Sequence, residues 1–391
     1  MYFAIFILAL ALTMVAIPWV LMMAQHWKLL DEPDNERKLH ARATPALGGI
    51  GIMIGFLVSM MVIQGMEQYF KMGVLAICMV ILTLVGLRDD LFHMKAQHKF
   101  LWQLAVALIF AGLMSHWNYS LRGFLGLQEL PFAVGFALCV SALIFFTNAY
   151  NLIDGVDGLA GTIGLWIALN MGLVSFLAGD RVFALLALAV AGSLTGFLRY
   201  NFAPAKIFMG DTGSLTIGFM LTVFALRFLT RDYYRLEPEL LPLYQFAPLI
   251  VLSYLIIPIY DTLRVIIVRV LRRTSPFMAG RDHIHHELLM FGLNHKMTTI
   301  YFGFVNVLIS LTSLYMAYTF VRPWVILLTI LLMCVLLLPT GGQKRSIWFS
   351  LVRDIIPLLQ GKNRMKIGTD TPLVSFEPSQ AQEQGSNTNI K

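Results

Sequence analysis

The chain has 391 residues, 58% of them hydrophobic and only 13% charged, with a mean hydropathy of +0.73. That balance excludes an ordinary soluble globular domain and indicates a protein with many membrane spans. The net charge of +7 does not make nucleic acid a partner, because the basic residues are spread over many short loops instead of forming one stripe.

In chain order, about eleven apolar stretches approach the roughly 20 residues needed to cross a bilayer. They lie near 2–24, 47–66, 70–87, 99–115, 131–147, 158–178, 182–203, 213–229, 246–270, 299–320 and 323–339. The first is read as a span and not a cleaved signal: it lacks a basic leading region, and Lys28, Arg37, Lys38 and Arg42 follow it. With the N-terminus outside, alternation leaves only Lys71, Arg122, Arg181, Arg227, Arg231, Arg235 and Arg322 of the 29 Lys and Arg residues outside. The positive-inside rule supports that odd count.

The expectation is therefore an all-α polytopic membrane bundle with a periplasmic N-terminus and a cytoplasmic C-terminus. It divides into an integral membrane domain, 1–345, and a cytoplasmic tail, 346–391, whose last part has a disordered composition. Cys78, Cys139 and Cys334 fall in apolar stretches at unrelated spacings and imply no disulfide framework.

Polar clusters punctuate the ends of these stretches, and the topology places them on one side. Ionisable groups beside lipid are costly enough to be functional candidates. Asp89 and Asp90 end the third stretch, with Lys95 and Lys99 close behind, a mixture that suits phosphate with a metal. Residues 148–158 carry Asn148, Asn151, Asp154 and Asp157; if helical, the last three share a face that Gly155 and Gly158 leave open. Asp211, in the stretch Phe208-Met209-Gly210-Asp211-Thr212-Gly213, begins another helix, where it can serve as N-cap, metal ligand or both. Arg281, His283, His285 and His286 form the last cluster. Its carboxylate-rich company favours an oxygen-ligated Mg²⁺ over zinc, leaving the imidazoles for phosphate contacts. Asp261 and Arg264, one turn apart, read equally well as a structural ion pair.

Together these motifs, with Asn35-Glu36-Arg37-Lys38-Leu39-His40, Pro45, Gly48 and Gly49 before them, resemble the polyprenyl-phosphate N-acetylhexosamine-1-phosphate transferases. The similarity runs from residue 35 to about 289. The Asp-His-Ile-His-His form, with Ile284 inside the box, is similar to the branch that transfers N-acetylglucosamine-1-phosphate; the phospho-N-acetylmuramoyl-pentapeptide branch has three consecutive histidines. The resemblance implies transfer of a sugar-1-phosphate from a UDP-N-acetylhexosamine to undecaprenyl phosphate, at the cytoplasmic face of a bacterial inner membrane. It also implies Mg²⁺, with Mn²⁺ as a substitute, and leaves a homodimer open.

By the same resemblance, Asp211 and Asn151 hold the metal, and Asp89 is the base or orienter for the lipid phosphate, with Asp90 beside it. Lys99 contacts phosphate, Asp157 and Phe208 hold uracil, and Arg281, His283, His285 and His286 line the diphosphate end. Asp154 and Asn148 complete the candidate set. A covalent phosphosugar on an Asp stays an alternative to direct transfer. A membrane aromatic prenyltransferase and a secondary transporter are the competing classes; the first expects two spaced Asp motifs, the second ionisable residues near the midplane.

Overall fold

The computed structural model describes residues 1–29, 44–67, 71–114, 130–230, 241–275, 280, 282–290, 292–319 and 321–337. Arg281, the run at 35–40 and the tail 346–391 lie outside the described residues. Every described element except single turns and short connections is helical. In order, the helices are α1 (Tyr2–His26), α2 (Gly48–Glu67), α3 (Met72–Phe92), α4 (Ala96–Leu113), α5 (Phe132–Leu152), α6 (Leu159–Leu177) and α7 (Arg181–Asn201). Then follow α8 (Gly210–Thr230), α9 (Leu241–Gln245), α10 (Ala247–Tyr254), α11 (Ile256–Leu271), α12 (Ile284–Met290), α13 (His295–Tyr318) and α14 (Pro323–Met333).

Each expected stretch has a helix, but not all eleven meet the length and hydropathy of a span among the described residues. Among the described residues, eight helices are long and apolar enough to cross a membrane, and α10 with α11 brings the number to nine if that bent pair is one span. The two that fall short have clear reasons. Helix α4 carries Gln97, His98, Lys99 and Gln103 in its first half. Helix α14 has 11 residues, or about 16 Å at 1.5 Å per residue, half a bilayer core. The α10–α11 pair bends by 74° at Leu255. Pro258 supplies the cause, since it has no N–H to offer the carbonyl four residues before it.

Helix α8 is the hub. All its residues are buried except Gly210, Asp211, Arg227 and Leu229, and α2, α3, α5 and α6 pack around it. Two glycines allow this proximity: a Cβ on Gly86 of α3 would lie 2.5 Å from the Thr212 backbone, and one on Gly49 of α2 would overlap the backbone of Gly213. Small residues are the usual route to close helix contact in lipid. Three hydroxyls that this helix buries return to its own backbone, Ser214 to the Gly210 carbonyl at 2.9 Å, Thr216 to Thr212 at 2.7 Å and Thr222 to Gly218 at 2.7 Å. No water is needed to satisfy them. The three cysteines are buried and free, as their apolar settings imply.

Candidate active site

The site is built where α8 begins. The first N–H groups of a helix have no partner within it, and here a carboxylate from another helix takes two of them. Asp90, in the last turn of α3, accepts the Asp211 N–H at 2.7 Å and the Thr212 N–H at 2.9 Å, and takes the Thr212 hydroxyl at 2.6 Å. The expected capping role therefore belongs to Asp90, and the Asp211 side chain is left for other work. Upstream, Phe208 and Met209 offer their carbonyls to Gly48 and Gly49 at 2.8 Å each, and the Phe208 N–H binds the Pro45 carbonyl at 2.9 Å. The start of α2 and the approach to α8 thus brace each other.

Around Asp211 the polar motifs meet. Lys99, in the first turn of α4, makes ion pairs with both Asp89, at 3.1 Å, and Asp211. Asn151, in the last turn of α5, donates its amide to Asp211 Oδ1 at 2.5 Å and to Ser214 Oγ at 2.6 Å. Asp89 also accepts the Met94 N–H, which turns the chain from α3 towards α4. Asn148 exchanges hydrogen bonds with Gln103 at 2.5 and 3.3 Å, tying α5 to α4 one turn deeper.

The run 148–158 is not one helix. Helix α5 ends at Leu152, residues 153–158 form turns, and Gly158 starts α6 with φ +76°, its N–H held by Asn201 at 2.9 Å. So Asn151, Asp154 and Asp157 do not share a helical face, because α5 stops at Leu152 and the two aspartates lie in the turns that lead to α6. Asp157 is buried and turned away from α8: it accepts the Ala205 N–H at 3.0 Å, and its own N–H meets His295 Nδ1 at 3.2 Å. The half-buried Asp154 carboxyl is pushed well above the usual carboxylate range, by desolvation first and then by the negative charge of Asp211, Asp90 and Asp157.

The histidine cluster closes the other flank. Asp261, on α11, is 2% exposed and uses both carboxylate oxygens: Oδ1 takes the Ile284 N–H at 2.7 Å, and Oδ2 lies 3.1 Å from the Nδ1 atoms of His283 and of His285. The suggested Asp261–Arg264 pair is not what forms. Arg264 reaches Glu287 at 2.5 Å and the Asp282 carbonyl at 2.8 Å, since a helical turn from Asp261 points it to α12. Arg269 holds the Asp282 carboxylate with two nitrogens at 2.8 and 3.1 Å, and that guanidinium keeps Asp282 below the ordinary carboxylate range. Burial raises Glu287 in spite of Arg264. The histidines join the first group through Gly155, where a Cβ would lie 2.7 Å from His285 Nε2 and 3.3 Å from the His286 ring.

Thus Asp89, Asp90, Lys99, Asn151, Asp154 and Asp211 converge at the start of α8, while His283, His285 and His286 stand across the 153–158 turn. Asp157, Phe208 and Asn148 brace the surrounding elements. Gln103 is a site residue that motif reading did not find, and Thr212 and Ser214 gain roles beside Asp211; Asp261, read beside Arg264, had a further signal, since buried imidazoles require a hydrogen-bond partner.

The donors gathered around Asp211 are carboxylate, carboxamide and hydroxyl oxygens, with Asp89, Asp90 and Asp211 against one lysine. Oxygen donors with surplus negative charge fit a hard divalent cation. Among the described residues, Asp261, His283 and His285 also stand close enough to share an ion, but their facing atoms are already joined by hydrogen bonds.

Residues 72–229 match the model of glycosyl transferase family 4. The chain is 33% identical, over 79% of its length and 83% of the relative's, to a probable undecaprenyl-phosphate N-acetylglucosaminyl 1-phosphate transferase of Bacillus subtilis (strain 168). A decaprenyl-phosphate N-acetylglucosaminephosphotransferase of Mycolicibacterium smegmatis is 30% identical over 75% of this chain and 76% of its own. A phospho-N-acetylmuramoyl-pentapeptide-transferase of Carboxydothermus hydrogenoformans is 31% identical over 79% of this chain and 95% of its own.

Proposed function

This chain belongs to glycosyl transferase family 4 as a multi-pass membrane phosphoglycosyl transferase, and we propose that it moves N-acetylglucosamine-1-phosphate from UDP-N-acetylglucosamine to undecaprenyl phosphate. The products are undecaprenyl-diphospho-N-acetylglucosamine and UMP, and the step starts a cell-surface glycan at the cytoplasmic face of a bacterial inner membrane. The observation that carries this reading is Lys99 joined to Asp89 and Asp211 at once. It gives one mouth both a cation for phosphate and anions for a metal.

An oxygen of the lipid phosphate attacks the sugar-bearing phosphorus; a new P–O–P linkage forms as the bond to UMP breaks. Asp89, held by Lys99 and the Met94 N–H, orients the lipid phosphate. A base is not essential, because a phosphomonoester with a second pKa of about 6 is mostly dianionic at neutral pH. Lys99 offsets the charge of two approaching anions. Asp211 and Asn151 would hold Mg²⁺, with Ser214 beside them. When bound, that ion supplies charge stabilisation to the diphosphate and the leaving group. Asp90 fixes the helix start that carries Asp211, and the histidine cluster faces the diphosphate end.

The test is an assay of purified protein with Mg²⁺, undecaprenyl phosphate and a panel of UDP-N-acetylhexosamines that includes UDP-N-acetylmuramoyl-pentapeptide, with UMP measured. UMP release with UDP-N-acetylglucosamine is expected. The similarity to a pentapeptide transferase makes the larger substrate the second reading, and preferential use of it would replace the first. No UMP from any member of the panel would remove both.

A further inference from the structure

Helix α4 packs on α3 and α5 and leaves Phe100, Leu101, Trp102, Leu108 and Leu113 exposed. Lipid tails are as apolar as these side chains, so van der Waals fit and polar contacts, not a hydrophobic force, set how high such a helix stands against its neighbours. Buried Gln103 makes one of these contacts: its Nε2 donates to Asn148 Oδ1 at 3.3 Å, and its Oε1 accepts from Asn148 Nδ2 at 2.5 Å. The Ile144 carbonyl takes the other Asn148 amide hydrogen at 2.8 Å, which fixes which end of that amide is nitrogen. Each end of the pair meets its complement, and a slip of α4 along α5 breaks both bonds. Lys99 lies four residues before Gln103, and Asn151 three after Asn148, so both stand about one turn from the pair and on the same helix faces. There Lys99 and Asn151 both reach Asp211, and Lys99 also reaches Asp89 at 3.1 Å.

We propose that Gln103 is a positioning residue: its amide pair with Asn148 sets the height of α4 against α5 and thereby holds the Lys99 ammonium between Asp89 and Asp211. It acts through Lys99, whose long side chain has many rotamers and is useful to two approaching anions only when its base is fixed. The kinetic consequence rests on the transferase reading, which gives Lys99 its charge role; where Lys99 stands is a separate question, measured without turnover.

Gln103→Met keeps the length of the side chain and removes the hydrogen bonds. The full-length protein in detergent is treated with an amine-acylating reagent, and the rate at each lysine is read by mass spectrometry. Lys99 in the wild type should react slowly, since it is paired with two carboxylates and its side chain is 16% exposed. In Gln103→Met it should react several-fold faster, with Lys71 and Lys296 at their wild-type rates. Turnover should fall about 10-fold, the lower end of the usual loss when an orienting partner is removed. Because Gln103 acts through Lys99, adding Gln103→Met to Lys99→Gln should cost nothing further. An unchanged Lys99 rate, equal acceleration at all three lysines, unchanged turnover, or losses that multiply with Lys99→Gln would each overturn the proposal. Gln103→Met strands the Asn148 carbonyl oxygen; if that variant does not fold, Gln103→Met with Asn148→Leu decides, since it leaves neither partner stranded. Fast Lys99 labelling and low turnover in this folded double variant uphold the proposal, and wild-type values of either sink it. Absence of UMP in the wild-type assay is a failure of the transferase reading, and the labelling rates then judge the placement of Lys99 by themselves.

Discussion

The carboxylate of Asp90 accepts the backbone N–H of Asp211 at 2.7 Å, so the end of α3 determines where the first turn of α8 stands. With the Thr212 N–H and hydroxyl also on Asp90, one side chain satisfies three donors. Asp90→Ala should destabilise the protein by about 1–2 kcal/mol, the cost of a lost helix cap, and should lower turnover because Asp211 loses its anchor. Asp90→Asn keeps one acceptor oxygen and should lose less of both. Thermal unfolding in detergent alongside UMP release checks this; full turnover in Asp90→Ala would detach the cap from the site.

Asp211 itself is held by Lys99 and Asn151 from two other helices. Asp211→Asn leaves the size and the helix start unchanged but removes the charge a divalent cation needs. The expected result is a normally folded, inserted protein whose Mg²⁺-dependent turnover is gone. Titrating Mg²⁺ against UMP release in both proteins makes the comparison, and wild-type activity in the variant removes Asp211 from the metal site.

Lys99 presents a sharper test, since it lies between two carboxylates that would otherwise face each other. Lys99→Gln leaves those charges uncompensated, and Coulomb attraction for a cation rises in a half-buried mouth. The Mg²⁺ concentration for half-maximal rate should fall, while the maximal rate drops at least roughly 10-fold through loss of the phosphate contact. A variant that needs more Mg²⁺ than the wild type contradicts this arrangement of charge.

Much of this site was legible from sequence because lipid makes polar side chains conspicuous: Asp89, Asn151 and Asp211 could be recognised by where apolar stretches stop. What was hidden follows from three physical causes. The end of α5 at Leu152 falls inside a polar run whose three-residue spacing continues through Asp157, and composition does not distinguish Gly158, which starts α6 with a positive φ, from a packing glycine such as Gly164. The bend at Leu255 turns on one proline within an apolar run, so hydropathy counts a single straight span there. Asp261 sits beside Arg264 in sequence, and its true partners, His283 and His285, are more than 20 residues away. A helix-period rule sees only the near neighbour.

Asp282 connects the site to acid stability. The Arg269 guanidinium lowers its pKa, as their two hydrogen bonds favour the charged form. A depressed folded-state pKa means this contribution is complete above the ordinary aspartate range and is lost as pH falls through the folded value. Asp282→Asn should therefore melt earlier than wild type at neutral pH, and the gap should narrow as pH drops below about 4. A gap that is constant with pH would assign the effect to packing.

Arg264 and Glu287 form an ion pair with side chains only 2% and 4% exposed. Two of their atoms, Arg264 Nε and Glu287 Oε2, have no hydrogen-bond partner among the described residues. Desolvating both ions costs much of what their attraction returns, so the pair itself is a weak source of stability, whereas removing one member strands the other charge. Glu287→Ala should thus cost about 3–5 kcal/mol, visible as lost folded yield and a lower melting temperature. Joint replacement, Arg264→Met with Glu287→Leu, should recover most of that loss. It should not restore turnover fully, because Arg264 also holds the Asp282 carbonyl at the entry to the histidine cluster. Recovery of stability and rate together would mean that the pair serves folding alone.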